Sequence, residues 1–327
     1  MRLGKEQKSA KQNNSDIPIL LIGFNRPHLI AKRLNELSAI PNLTLIISID
    51  GGADKEVEIE MNHILETLDR YKMNHSDVQI IRHNSNLGLA EHITTSITNL
   101  LEKFKSLIII EDDIAVSENF YNNMVNGISA IQNRNNIATV GGYSAVGIFS
   151  IFKIHNKFRV SKYFSPWGWA ITDEIWRLYR LDIGNGSLEQ QLNNSSSWNS
   201  LSKKQKIYWM NLFKKVEKNP KLTWDIQMQF MCFKYELRNF LPLKSLITNE
   251  GFGDSTSTNH KDNKPWWMSR KRNNELIYST TGRILGYIYE ELLDPIFMSS
   301  DKTNVFIVIL AKRFSKAART LLKHRPL

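Results

Sequence analysis

Cysteine is almost missing from this chain: its 327 residues include one, Cys232. That excludes an internal disulfide framework and any cysteine-rich zinc site, and a lone thiol suits a reducing compartment. Long hydrophobic runs are missing too. The longest uncharged apolar stretches, residues 17–24 and 305–311, fall far short of the ~20 residues that a membrane-spanning helix needs. The first sixteen residues, MRLGKEQKSAKQNNSD, are polar and offer no apolar core for a secretion signal. Glycine and proline are modest, at 16 and 9, and with 42% hydrophobic and 23% charged residues the composition is globular. The length allows one large domain with a tail, or two smaller domains.

Acidic residues are in deficit, 32 against 43 basic, for a net charge of +11. Such an excess favours an anionic partner: nucleic acid, an anionic membrane or a phosphorylated ligand. It is unevenly spread. Residues 303–327 hold six basic residues and no acidic one, so the rest of the chain carries only +5. Between about 303 and 323, Ile307, Leu310, Phe314, Ala317, Ala318 and Leu321 recur at helical spacing among Lys312, Arg313, Lys316 and Arg319. This pattern predicts a basic amphipathic helix, resting on an anionic membrane surface or packed on the body or in a homodimer. The expected location is cytoplasmic, peripheral on the inner face of the plasma membrane if the helix binds there. No recognition motif for nucleic acid is visible.

After the polar tail (1–16), apolar runs alternate with amphipathic stretches. IPILLIGF (17–24), LTLIISI (43–49), VQIIR (78–82) and LIIIE (107–111) read as strands. Helical stripes separate them: Ile30, Leu34 and Leu37 behind Pro27, then Met61, Ile64, Leu65 and Leu68, then Leu89 through Phe104. Alternation of this kind predicts an α/β domain with a mostly parallel, Rossmann-like sheet flanked by helices. With no composition break between 17 and 262, that span is expected to be one domain, with a helical extension at 263–327. Residues 193–202, rich in Asn and Ser, read as a surface loop, and 282–297 as an apolar helix packed on the body.

In such sheets ligands bind beyond the carboxyl ends of the strands, so the polar residues there are the first candidates. Glu111, Asp112 and Asp113 end a fully apolar strand. Three adjacent carboxylates need a cation or hydrogen-bond donors, which suits a hard divalent metal with a bound diphosphate; a solvated turn or the cap of a helix near Ser117 is the alternative. Asp50, followed by two glycines, could accept hydrogen bonds from a base or ribose, or could end its strand in an ordinary turn. Arg26 precedes a proline-initiated helix, a phosphate-binding arrangement or a surface arginine. Further along, SPWGW (165–169) sets Trp167 and Trp169 around Gly168, as a sugar platform or as core. Asp225 of Thr-Trp-Asp is a helix cap or a general base. GFGDSTSTNH (251–260) could close over phosphates, with His260 as a metal or phosphate contact, or could be a plain polar loop.

Taken in order, FNRP, SIDGG, AEH, IIIEDD, PWGW, WD and the glycine/hydroxyl loop resemble the GT-A class of nucleotide-sugar glycosyltransferases. The resemblance is to the N-acetylglucosaminyltransferase I type and its bacterial relatives, over roughly residues 17–262. It implies that Asp113 binds Mn2+ or Mg2+ and that Glu111 and Asp112 contact the donor's ribose or sugar. Asp50 and His92 would hold the base, and Ser255 or Ser257 the diphosphate. Asp225 would be the general base of an inverting transfer; Ile226 follows it where the family has a second acid. Trp167 and Trp169 would pack on donor or acceptor sugar. The expected activity is metal-dependent transfer of a hexose or N-acetylhexosamine from a UDP-sugar to a glycan or lipid-linked acceptor in surface polysaccharide synthesis. A nucleotidyltransferase, or a non-enzymatic basic protein binding membrane or nucleic acid, is the alternative.

Overall fold

Runs of Ile, Leu and Val with no polar interruption can only be buried on both faces, and they build the centre of the sheet. The computed structural model describes residues 17–68, 77–132, 134–145, 157–252, 272–277, 279–280 and 288–295. Its first strands are β1 (Ile19–Gly23), β2 (Thr44–Ile49), β3 (Asp77–Arg82) and β4 (Ser106–Glu111). They lie parallel in the order β4-β1-β2-β3, with Ile19 beside both Leu45 and Ile108. The helices between them are α1 (Pro27–Leu37), α2 (Lys55–Glu66) and α3 (Leu89–Leu101). Pro27 stands in the first turn of α1, where its missing N–H costs nothing.

The second half of the sheet turns back on itself. β5 (Ile114–Val116), α4 (Phe120–Ile131), β6 (Ile137–Gly141), β7 (Lys157–Ser161) and β8 (Trp169–Thr172) follow β4, and β9 (Arg238–Pro242), β10 (Ile247–Asn249) and β11 (Ser279–Thr280) come later. The nine-stranded order is β11-β7-β9-β6-β8-β4-β1-β2-β3, while β5 and β10 form a separate antiparallel pair. β8 runs antiparallel to both of its neighbours, β4 and β6. Its amino end therefore lies at the same edge as the carboxyl ends of β1, β2, β4 and β6. The sheet is mixed and mostly parallel, with helices on both faces.

Each face has its own core. One joins Ile19, Leu21, Ile47 and Ile108 to α1, α2 and α4. The other joins Leu20, Ile22, Ile109 and Ile171 to α3, Trp169, Trp176 and Trp224. A third apolar cluster packs α8 (Lys203–Lys218) on α9 (Asp225–Lys234) through Trp209, Phe213, Phe230 and Phe233. Ser202 starts α8 with a reciprocal capping box to Gln205. The expected surface loop at 193–202 is instead structured. It holds the short helix α7 (Ser196–Asn199), with Trp198 buried and the Ser195 hydroxyl both capping it and donating to the Phe233 carbonyl at 2.5 Å. Ser195 and Ser202 serve as helix caps, while most of the other Asn and Ser residues here are exposed, so the stretch lies at the surface as expected without being irregular.

The described part of 282–297 is a π-helical segment, Ile288–Leu293. It buries Tyr289 and Leu293 against the body and adds ion pairs. Asp294 takes a two-pronged bond from Arg159 at 2.5 and 2.7 Å, Glu291 pairs with Lys162 at 2.6 Å, and Glu290 pairs with Arg238. Among the described residues no helix is long and apolar enough to cross a membrane. The amphipathic segment 303–323 lies outside the described residues.

Candidate functional site

The parallel strands β1, β2 and β4 end side by side, so the three polar clusters that follow them meet at one edge. Asp50 is 5% exposed, and its carboxylate is held by backbone donors. It accepts from the backbone N–H groups of Gly51 (3.0 Å), Leu87 (2.9 Å) and Gly88 (3.1 Å). Gly51 is required there, since a Cβ would collide with the backbone of residues 83–85. His92, one turn into α3, is buried beside it. Its Nε2 lies 2.8 Å from the hydroxyl of Ser48, which in turn lies 3.0 Å from that of Ser96. Burial pulls the imidazole down to about 4; the Asp50 charge opposes this and His83 adds to it. His92 is thus a neutral ring in a polar niche, edge-on to His83 at 5.1 Å.

The acidic triplet is enclosed rather than solvated. Asp112 and Asp113 are 2% and 7% exposed. The Arg26 guanidinium bridges them. Its Nε donates to Asp112 at 3.2 Å, its Nη2 makes a second, closer bond to the same carboxylate, and its Nη1 reaches Asp113 at 3.3 Å. Burial works against the charge on Arg26, but Asp112 and then Asp113 outweigh it and raise its pKa. Asp112 is nevertheless pushed up to about 7, because burial exceeds what Arg26 returns. Glu111 is driven well above the usual carboxylate range by burial first, then by Asp113 and Asp112. One cation faces two buried acids and a third, Glu111, that is half-buried beside them. Arg26 itself is turned onto the carboxylates, not held open as a surface phosphate site.

Asp225 belongs to the same field: its charge acts on Glu111 and on the Tyr179 hydroxyl. It is half-buried in the first turn of α9, and the Thr223 hydroxyl donates to its Oδ1. The reversed strand β8 brings Trp167 and Gly168 to this edge. Gly168 has φ +60°, and its carbonyl accepts from Gly142 N–H at 2.6 Å. The turn at Gly168 separates the two indoles. Trp167 stays half-buried, edge-on to Tyr143 (4.6 Å) and Phe252 (6.1 Å). Trp169 is 1% exposed in the opposite core, stacked on Trp224 at 5.2 Å. Trp167 therefore keeps part of its indole open at this edge while packing on one core, whereas Trp169 lies within the other. Ser255, Ser257 and His260 lie outside the described residues.

Several partners here are not among the residues singled out from sequence. Ser48 could have been found as a hydroxyl inside an apolar strand, and His83 as the polar residue following β3. Thr223 is adjacent to the Trp-Asp pair. Gly251 is placed against Asp113 so closely that any Cβ would strike the carboxylate, a contact with no local sequence signal.

The carboxylate oxygens are the right donors for a hard divalent ion, and their surplus of negative charge fits one. Among the described residues no three acidic, His or Cys side chains form a ready metal cluster. A cation at Asp113 would therefore need ligands from its own substrate and from water.

No protein-family model and no curated protein sequence matches the chain. Solved structures do. The glycosyltransferase GlyE of Streptococcus pneumoniae TIGR4 aligns at 9% identity and TM-score 0.34, over 68% of this chain and 45% of GlyE, so the chain spans less than half of that protein. A UDP-glucose pyrophosphorylase complexed with UDP-glucose aligns at 10% identity and TM-score 0.36, over 71% of this chain and 93% of that one. Its apo form aligns at 9% identity with the same TM-score. At these values the functional reading rests on the residues of the site.

Proposed function

We propose that the chain is a nucleotide-sugar-dependent glycosyltransferase. The observation that carries this reading is the convergence at one sheet edge of Asp50 and His92, the Glu111–Asp113 triplet and Asp225. Asp50 and neutral His92 form a polar niche suited to a base and ribose. Glu111 and Asp112 would contact the donor's ribose or sugar, and Trp167 would pack on a sugar ring. Asp113 would hold Mn2+ or Mg2+ against the donor diphosphate, where the ion stabilises charge growing on the leaving group. Asp225, oriented by Thr223, takes the proton of the acceptor hydroxyl as that oxygen attacks the anomeric carbon. The nucleoside diphosphate leaves from the opposite face and the centre inverts. A UDP-sugar donor, a glycan or lipid-linked acceptor, and attachment of residues 303–323 to an anionic membrane surface from the cytoplasmic side complete the proposal.

Calorimetric titration with UDP, GDP, CMP and UDP-sugars, with and without Mn2+, tests it. One nucleotide should bind in a metal-dependent manner to the wild type and not to Asp113→Ala, and no binding by any nucleotide would refute the reading. Release of pyrophosphate from a nucleoside triphosphate and a sugar phosphate would identify a nucleotidyltransferase instead.

A further inference from the structure

An ionic chain lies beside the acidic triplet and does not belong to it. Arg33 on α1 is 1% exposed, an unusual place for a guanidinium unless acids meet it. Its Nη2 donates to Glu250 at 2.9 Å and its Nε lies 3.4 Å from Glu36, one turn along the helix. Glu36 in turn accepts from Arg272 at 2.8 Å and from the backbone N–H of Val116 at 2.9 Å, while Arg272 also donates to the Val116 carbonyl. The order is Glu250–Arg33–Glu36–Arg272.

Its two ends sit on different stretches of backbone. Glu250 follows β10, whose Asn249 pairs with Ile114 immediately after Asp113. The Glu250 N–H donates to the Asp113 carbonyl at 2.8 Å, and Gly251 presses on the Asp113 carboxylate. Arg272 opens the stretch 272–277, which is fixed by the Asn273 N–H to Ser245 and by Asn123 to Glu275 and Ile277. Both stretches, 22 residues apart in sequence, are thus tied to one turn of α1.

We infer that Arg33 and Glu36 are positioning residues: they act through Glu250 and Arg272 to hold the backbone around Gly251 and Val116 against Asp113, and so set the geometry in which Asp113 meets a diphosphate. They touch no reacting atom themselves. The binding arm of the test rests on the nucleotide-sugar reading; the exchange arm does not.

Glu250 and Arg272 are the residues to change, being 36% and 34% exposed in their side chains; Glu250→Gln keeps an amide oxygen for Arg33, whose own side chain is 1% exposed. Glu250→Gln, Arg272→Gln and the double variant are compared with wild type by UDP titration in Mn2+ and by peptide-level hydrogen exchange. Each single variant should weaken UDP about tenfold, as loss of an orienting partner does at a metal site. The double variant should be no worse than either single, because cutting a chain at one link disables it. Exchange should quicken in both 249–252 and 272–277 whichever end is cut. Unchanged UDP affinity, losses that multiply in the double variant, or losses that follow the melting temperature would overturn the inference. Exchange that quickens only beside the substituted residue would also overturn it. If the wild type binds no nucleotide, the function reading fails and exchange alone decides this one.

Discussion

Two groups of buried charge in this molecule are built on opposite principles. Where the 288–295 segment docks on the sheet, each acid has its own cation: Asp294 with Arg159, Glu291 with Lys162, Glu290 with Arg238. At the ends of β1 and β4, three acids share Arg26. Matched pairs hold a segment in place because removing one partner strands a buried charge, whereas an acid surplus leaves the folded state carrying repulsion that a ligand can relieve. Charge balance thus distinguishes the attachment from the candidate site, although both contain arginine.

The comparison breaks most visibly at Asp294. Asp294→Ala strands Arg159, 1% exposed like its partner, and should cost about 3–5 kcal/mol in a urea titration. A cost under about 1 kcal/mol would place this pair with weak surface bridges. At the acid surplus the expected sign is reversed. Asp112 has a folded-state pKa of about 7 against 3.8 as its reference, so the folded state binds the extra proton and stability falls as pH rises across that window. Asp112→Asn should lessen the fall between pH 5 and pH 8; equal slopes in both proteins would show that Asp112 is not the source. His92 gives the smallest effect and the opposite slope. Its folded pKa of about 4 lies below the ordinary 6.5, so the unfolded chain takes the proton first and stability falls as pH drops through that range. His92→Asn should flatten this limb, and persistence of the limb would assign it to another group.

Much of the acid-rich edge was legible because the signals are local. β1 and β4 announce themselves as uninterrupted apolar runs and β2 as one broken inside only by Ser48, and the polar residues after them had to share an edge once the strands were parallel. β3 was equally visible, although as an edge strand it is largely exposed, with Ile80 at 40%. Long-range pairing was not legible. Nothing near Arg26 says that it grips acids 86 and 87 positions away, and it reads as a free phosphate contact until the fold is known. The two indoles of SPWGW misled for a different reason. Residues two apart in a strand share a face, but a left-handed glycine between them sends Trp167 and Trp169 to opposite sides of the sheet. The acids of 288–295 were likewise hidden inside a segment that reads as apolar.

The reversed strand β8 has a consequence for how this molecule could be taken apart. Because it runs against its neighbours in mid-sheet, it inserts the Trp167 turn between edges formed much earlier in the chain, and α9 then returns Asp225 to the same place. Asp50, His92 and the Glu111–Asp113 triplet all precede residue 145, whereas Trp167 and Asp225 come later in the chain. A cut between residues 145 and 157 would therefore leave the residues proposed to hold a nucleotide on one fragment and Asp225 on the other. It would also draw β8 out from between β4 and β6, so the sheet edge that gathers them would exist only after the two fragments reassembled.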